Sequence, residues 1–178
     1  MFKYQHGLCV MRAQPFHIGH QKLIDKMLKE CAHVTIALGS AQEQGTDRNP
    51  LNYETRKKLI QNVYHIHPSY ERLTIIGLRD INNPAEWGKF VLDVIQKSFP
   101  DTPSPDVYYA GSCYDAHWFK DCCPHIVLVD RNDPHLPFVS GTMIRDMIKF
   151  KDPRWKDFIA PKNHKIIEKE FQHIQGVI

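Results

Sequence analysis

Gly7-Leu-Cys-Val-Met-Arg-Ala-Gln-Pro-Phe-His-Ile-Gly-His20 packs a strand, a broken loop and a helix start into one short segment. The apolar run Gly7–Arg12 reads as a strand, and Pro15 interrupts the chain after it. A helix then begins near Ile18 and runs to about Cys31, with Leu23, Ile24, Met27 and Leu28 on one face. His17 and His20 stand at its N-terminus, one turn apart, with Gly19 between them. Backbone N–H groups there lack helical partners and the helix dipole is positive, so phosphate oxygens are favoured. The tetrapeptide is not decisive alone. With 11 histidines and 9 glycines in 178 residues, an H-x-G-H pattern arises by chance in about 3% of such chains. Two surface histidines are the plain alternative, so the rest of the chain has to decide.

Outward from this segment, short apolar runs alternate with helical patterns. Strands are predicted at Gly7–Arg12, Val34–Gly39, Leu73–Leu78, Val107–Ala110 and Ile126–Val129. Helices are predicted near 19–31, 53–66, 85–98 and 113–121. The strand runs are near-continuous rather than alternating, as expected of strands buried on both faces. The predicted fold is α/β, a Rossmann-like parallel sheet with helices on both faces and a helical C-terminal segment. In that segment Ser140 or Thr142 caps a helix to about Phe150, which Asp152-Pro153 ends. Asn163 then caps a last amphipathic helix with Ile166, Ile167, Phe171 and Ile174 on its apolar face.

No linker composition or internal repeat divides the chain, so a single domain over 1–178 is expected. A hydrophobic content of 42% and a charged content of 24% are ordinary for a soluble globular protein. The net charge of +3 suits small anionic ligands and makes no case for nucleic acid. No run approaches the length of a membrane span, and the N-terminus has no signal-like apolar region. No membrane association and a cytoplasmic location are therefore expected. The five cysteines form no regular framework and read as free thiols. Cys113, His117, Cys122, Cys123 and His125 lie close together, but in no standard zinc spacing, and no metal site is assigned there.

Neither G-x-x-x-x-G-K-[ST] nor G-x-G-x-x-G occurs, so phosphates must be held by side chains and helix ends. Suitable groups lie after every predicted strand. Arg12, His17 and His20 follow the first; Gly39-Ser40-Ala41-Gln42 and Arg48-Asn49-Pro50 follow the second. Asp80 to Trp87 follow the third, Gly111-Ser112 the fourth, and Ser140-Gly-Thr-Met-Ile-Arg145 the fifth. Each loop alone is also ordinary turn chemistry. Their convergence on one rim of the sheet is what argues for a site.

On these residues the chain resembles the nucleotidyltransferase superfamily with its (H/T)-x-G-H signature, and within it the archaeal-type nicotinamide mononucleotide (NMN) adenylyltransferases. Met11 to His20 match the signature. Gly39–Gln42, Arg48–Pro50 and Arg56 are similar to that family's second-strand region, and Asp80-Ile81 with Trp87 to its nicotinamide-side segment. Ser140–Arg145 is similar to its S-G-T-x-I-R motif. Trp155 to Pro161 and the final helix also resemble the family, so the similarity spans almost the whole chain. The chain departs where the family usually has glycine (Met11), a larger residue (Ala13), asparagine after glycine (Ser112), and asparagine three residues before the tryptophan (Pro84, with Asn83 adjacent).

The resemblance implies that ATP and NMN yield NAD and pyrophosphate, with the NMN 5′-phosphate attacking the α-phosphorus in line. It implies His17, His20 and Arg145 as catalytic residues. Arg12, Gln14, Phe16, Gly19, Gly111, Ser140, Gly141 and Thr142 would contact ATP. Ser40, Arg48, Asp80, Asn83 and Trp87 would contact NMN. Mg²⁺ would arrive with ATP, no protein metal cage is implied, and self-association is expected. Trp87 either stacks on the nicotinamide or packs in the core. Asp80 either orients the amide or ribose or serves a cap or turn, and Phe16 either walls the adenosine pocket or anchors its loop. Transfer to another phosphorylated acceptor, and a non-catalytic nucleotide sensor, are the alternatives. An aminoacyl-tRNA synthetase is excluded by length and by the lack of a K-M-S-K-S-like segment.

Overall fold

A computed structural model of the chain describes residues 1–129 and 138–175. Five strands form one parallel sheet: β1 (Tyr4–Met11), β2 (Cys31–Leu38), β3 (Leu73–Gly77), β4 (Val107–Ala110) and β5 (His125–Leu128). Their spatial order is β3-β2-β1-β4-β5. Helices α1 (Ile18–Glu30), α2 (Tyr53–Tyr64), α3 (Trp87–Ser98) and α4 (Cys113–His117) alternate with the strands. Helices α5 (Gly141–Lys149) and α6 (His164–Gln175) build the C-terminal segment.

Both faces of the sheet are covered, which explains the continuous apolar runs. Cys9, Met11, Ile36, Leu38 and Tyr109 face α1, α2, α5 and α6 through Ile24, Met27, Leu59, Ile60, Ile144, Ile167 and Phe171. Leu8, Ala37, Ile76, Tyr108 and Ala110 face the other way, onto Val91 and Ile95 of α3. There Phe119 stacks on Tyr108 with ring centroids 3.7 Å apart. Each strand thus serves two cores by simple alternation.

The chain steps outward from β1 to β2 to β3, then returns to place β4 on the other side of β1. Strand order reverses between β1 and β4. Their carboxyl ends flank the crevice in which open α/β sheets bind ligands. The H-x-G-H segment leaves β1 at this point, and Gly111-Ser112 leave β4 beside it.

Several element ends differ from expectation. Strand β2 begins at Cys31 with no loop after α1. Arg72 makes this junction possible: its guanidinium donates to the carbonyls of Leu28, Cys31 and Ala32 at 3.1, 2.7 and 3.2 Å, satisfying the helix end that a loop would otherwise serve. Helix α4 stops at His117, not near 121, because the following N–H groups tighten onto carbonyls three residues back. Asn163 does not act as the expected cap. It is fully buried, donates to the Leu59 carbonyl at 2.8 Å and accepts from Asn62 at 2.9 Å, so it ties the final helix to α2. The Ile174 side chain lies outside the described residues.

The family departures find structural reasons. Met11 and Ala13 are buried, at 8% and 2% exposure, and Ala13 turns the chain out of β1 with φ +49°. Ser112 caps α4 by accepting from Asp115 N–H at 3.1 Å. Pro84 opens the short 3-10 turn that leads into α3, a position where its missing N–H costs nothing.

Candidate active site

The two histidines are built into the start of α1. His17 is its N-cap, and Gly19 N–H donates to His17 Nδ1 at 3.2 Å. His20 returns the bond: its Nδ1 accepts from His17 N–H at 3.3 Å. This is a reciprocal capping box, usually made by Ser or Thr with Glu or Gln, here made by two imidazoles. The rings stack with centroids 3.7 Å apart, and Phe16 lies nearly parallel to His20 with centroids 5.8 Å apart. With both Nδ1 atoms accepting, each neutral ring carries its proton on Nε2. The pair is thereby held in the tautomer that donates from Nε2.

Helix α5 meets this motif directly. Arg145 donates to the Gln14 carbonyl at 2.8 Å and to Thr142 Oγ1 at 3.1 Å. Ser140 caps α5 by accepting from Met143 N–H at 3.1 Å. The approach demands glycine at position 141 and is tight at position 19. A Cβ at Gly141 would stand 2.7 Å from the Gln14 carbonyl oxygen, and one at Gly19 would meet the His17 ring at 3.1 Å and Val139 at 3.2 Å. The first and last motifs are thus one structural unit, although 131 residues separate Gln14 from Arg145.

Three guanidiniums share the rim. Partial burial lowers the Arg12 pKa, and Arg48 and Arg145 push it the same way. Burial likewise lowers the Arg145 pKa, and Arg48 adds to the effect while Asp146 opposes it. Arginine stays charged through such shifts, so the physical content is neighbouring positive charge, offset at Arg145 by Asp146 and Asp47. Asp80 and Glu43 partly offset it at Arg12. Asp80 heads no helix. Its carboxylate accepts from Gln42 Nε2 at 3.0 Å and its N–H donates to Gln42 Oε1 at 3.2 Å, joining the loops after β2 and β3. Arg48 is exposed, while neighbouring Asn49 is buried and donates to Glu43.

Trp87 is the first residue of α3 and is half-buried, its ring 5.8 Å from Phe90. It packs with one part and remains accessible with the other. Asn83 is exposed and makes no capping bond. Ser40 is buried at 9% exposure with φ +50°, and its carbonyl is taken by Arg56.

Other predicted contacts are turned inward. Gln14 is 4% exposed; its amide donates to the Leu51 carbonyl at 2.8 Å and accepts from Leu51 N–H at 2.9 Å. It staples the first loop to the one before α2, so its side chain positions the rim instead of lining it. Phe16 is 1% exposed and packs in the core with its ring stacked on His20. The Gly111 N–H donates to Asp115 Oδ2 at 3.1 Å, and Tyr108 donates to the same carboxylate at 2.8 Å. Gly111 therefore shapes the turn after β4, with its N–H already engaged. Sequence reasoning gave no role to Asp115, counted Gln42 only among the polar groups after the second strand, and noted Arg56 only in the family resemblance. For Arg56 a signal existed: it stands on the apolar stripe of α2 with Leu59, Ile60 and Tyr64, all buried.

This crevice between β1 and β4, with a helix start on either motif and guanidiniums around it, is the candidate active site. The chain belongs to the cytidylyltransferase-like family, whose sequence model matches residues 9–147, and it is a nucleotidyltransferase. Its similarity to curated proteins points one level further. It is 27% identical over 173 residues to the nicotinamide-nucleotide adenylyltransferase of Thermococcus onnurineus, covering 96% of this chain and 86% of the relative. It is 28% identical over 174 residues to that of Thermococcus kodakarensis, covering 96% and 84%. Among solved structures, the bifunctional NMN adenylyltransferase/ADP ribose pyrophosphatase of Francisella tularensis, complexed with AMP and a manganese ion, superposes with a TM-score of 0.67 at 22% identity. That match covers 84% of this chain and 42% of the larger one, and at this identity it speaks for the fold. Among the described residues no helix is long and apolar enough to cross a membrane.

Proposed function

We propose that the protein transfers the AMP moiety of ATP to NMN, giving NAD and pyrophosphate. The observation that carries this reading is the stacked His17–His20 pair, locked as Nε2 donors and joined through Gln14 to Arg145. In-line attack by the NMN phosphate needs no general base, because that oxygen is already ionised at neutral pH. What the protein must supply is then positioning and charge stabilisation. The site fits that requirement, since it presents donors and cations with no nucleophile–base pair to be accounted for.

His17 and His20 donate to the ATP phosphates and to the charge that builds at the α-phosphorus. Arg145, held at two of its donor positions, offers the rest of its fork to the departing pyrophosphate. The α5 N-terminus, with Ser140, Gly141 and Thr142, adds donors from a helix end, and Gly19, its N–H taken by His17, leaves room beside the histidines for the ATP phosphates. Arg12 and Arg48 complete the cationic wall. Trp87, Asp80, Asn83 and the Ser40 turn form the mononucleotide side. Cations dominate this rim, so its donor set fits Mg²⁺ carried on ATP, bound mainly through phosphates and water, where it neutralises phosphate charge.

A coupled assay with ATP, Mg²⁺ and either nicotinamide or nicotinate mononucleotide tests the reading. NAD formation with pyrophosphate release is expected. ATP binding without pyrophosphate release from either acceptor would overturn it and favour a nucleotide sensor. On the mononucleotide side, Trp87→Ala is expected to raise KM for NMN about tenfold, the scale of a partly desolvated cation–π contact, with little change for ATP. Equal increases for both substrates would show that Trp87 only packs.

A further inference from the structure

Arg56 lies on the first turn of α2 and is fully buried, at 0% exposure. All of its hydrogen bonds go to backbone carbonyls: Nη1 to Arg12 at 2.9 Å and to Gly39 at 2.8 Å, Nη2 to Ser40 at 3.1 Å, and Nε to Asn52 at 3.4 Å. Among the described residues no carboxylate bonds to it. Asp80 acts on it only through the longer-range field, and the Arg12 charge opposes it.

Two features set this arrangement apart from ordinary packing. A buried cation is costly and this one has no carboxylate partner to offset it, while its loss would also leave the carbonyls it satisfies unpaired, so the strand ends are built around its charge. Its partners are also particular. Arg12 and Gly39 immediately follow β1 and β2, and Ser40 is the strained left-handed residue that starts the next loop. Carbonyl oxygens at strand ends would repel a phosphate. A guanidinium that engages three of them removes that repulsion and leaves net positive charge behind the rim.

We propose that Arg56 is a positioning residue for nucleotidyl transfer, holding the ends of β1 and β2 so that Arg12 and Ser40 face the phosphates, and supplying buried charge that an anionic ligand compensates. This rests on the transfer reading of the same rim. The Arg56 fork fixes geometry and the Arg56 charge raises anion affinity, so two variants separate the contributions. Arg56→Met removes both. Arg56→Lys keeps the charge and loses the planar fork.

The experiment uses the full chain, inorganic pyrophosphate as probe in calorimetry over a salt series, and steady-state kinetics with ATP and NMN. For Arg56→Met, pyrophosphate affinity is expected to fall about tenfold or more at low salt, with a shallower salt dependence. For Arg56→Lys, pyrophosphate affinity should stay within about threefold of wild type while kcat falls about 10²-fold, the scale of a small misplacement of the reacting groups. Folded variants with wild-type pyrophosphate affinity, salt dependence and kcat would overturn the proposal. Should Arg56→Met not fold, the kcat of Arg56→Lys decides. Should the wild type form no NAD, the NMN reading falls, and the pyrophosphate measurements still decide the role of the Arg56 charge.

Discussion

His20→Ala should lower turnover by at least about 10²-fold, the loss typical of one preorganised donor to a transition state. The structure complicates that substitution, because His20 also caps α1: its Nδ1 accepts from His17 N–H. Alanine removes the cap too, at a cost to stability of about 1 kcal/mol. His20→Asn separates the two roles. The asparagine Oδ1 sits near the place of Nδ1 and can restore the cap, but no atom replaces the Nε2 donor. Thermal stability should therefore return towards wild type in His20→Asn while kcat stays low. Wild-type turnover in that variant would rule out the imidazole Nε2 as a contributor to the reaction. The stacked His17 ring, 3.7 Å away, gives the same logic a second reporter, since misplacing either ring misplaces both.

Gly88→Ala should be the most damaging single-methyl change in the described chain. A Cβ there would stand 2.0 Å from the Trp118 carbonyl oxygen, 3.0 Å from its carbon and 2.8 Å from Cys122 Sγ. A backbone carbonyl cannot rotate aside as a side chain can, so α3 and the segment after α4 must separate. A cost of about 3 kcal/mol is expected, at the upper end for overpacking. For a chain of this size that is about 10 °C in Tm, which differential scanning calorimetry would resolve. The damage should also reach the site, because the residue before Gly88 is Trp87. KM for NMN should rise more than KM for ATP in the folded fraction. A Tm within about 2 °C of wild type would mean that α3 slides freely on the segment after α4, contrary to the close approach of Gly88 to Trp118 and Cys122.

Much of the architecture was legible because its causes are local. Strand β4 begins and ends where its apolar run does, and α1 starts at Ile18, next to the histidine that caps it. The parallel sheet followed from strands apolar on both faces, alternating with amphipathic helices. Gly19 and Gly141 belonged to the motifs by pattern, and the close approach of backbone and ring supplies the reason. Errors gathered where a local signal had a distant competitor. Asn163 has the chemistry of a cap, but the Leu59 carbonyl and Asn62 claim it from α2. Cys31 reads as the end of a helix, yet it opens β2 because Arg72 satisfies the carbonyls around it.

The sequence by itself determined the kind of fold, the two motifs proposed to hold phosphates and the arginines available to them, because periodicity, caps and residue chemistry act over a few neighbours. Tertiary structure decided which polar groups face the crevice and which are consumed in building it. Gln14 and the Gly111 N–H are used up in loop contacts, Phe16 is packed away, and Arg56 is drawn beneath the rim. The reason is that a hydrogen-bonding group can be spent only once, and its partner is often far off in sequence. Leu51 lies 37 residues from Gln14, and Arg12 lies 44 from Arg56. Only the closed sheet brings such partners within reach.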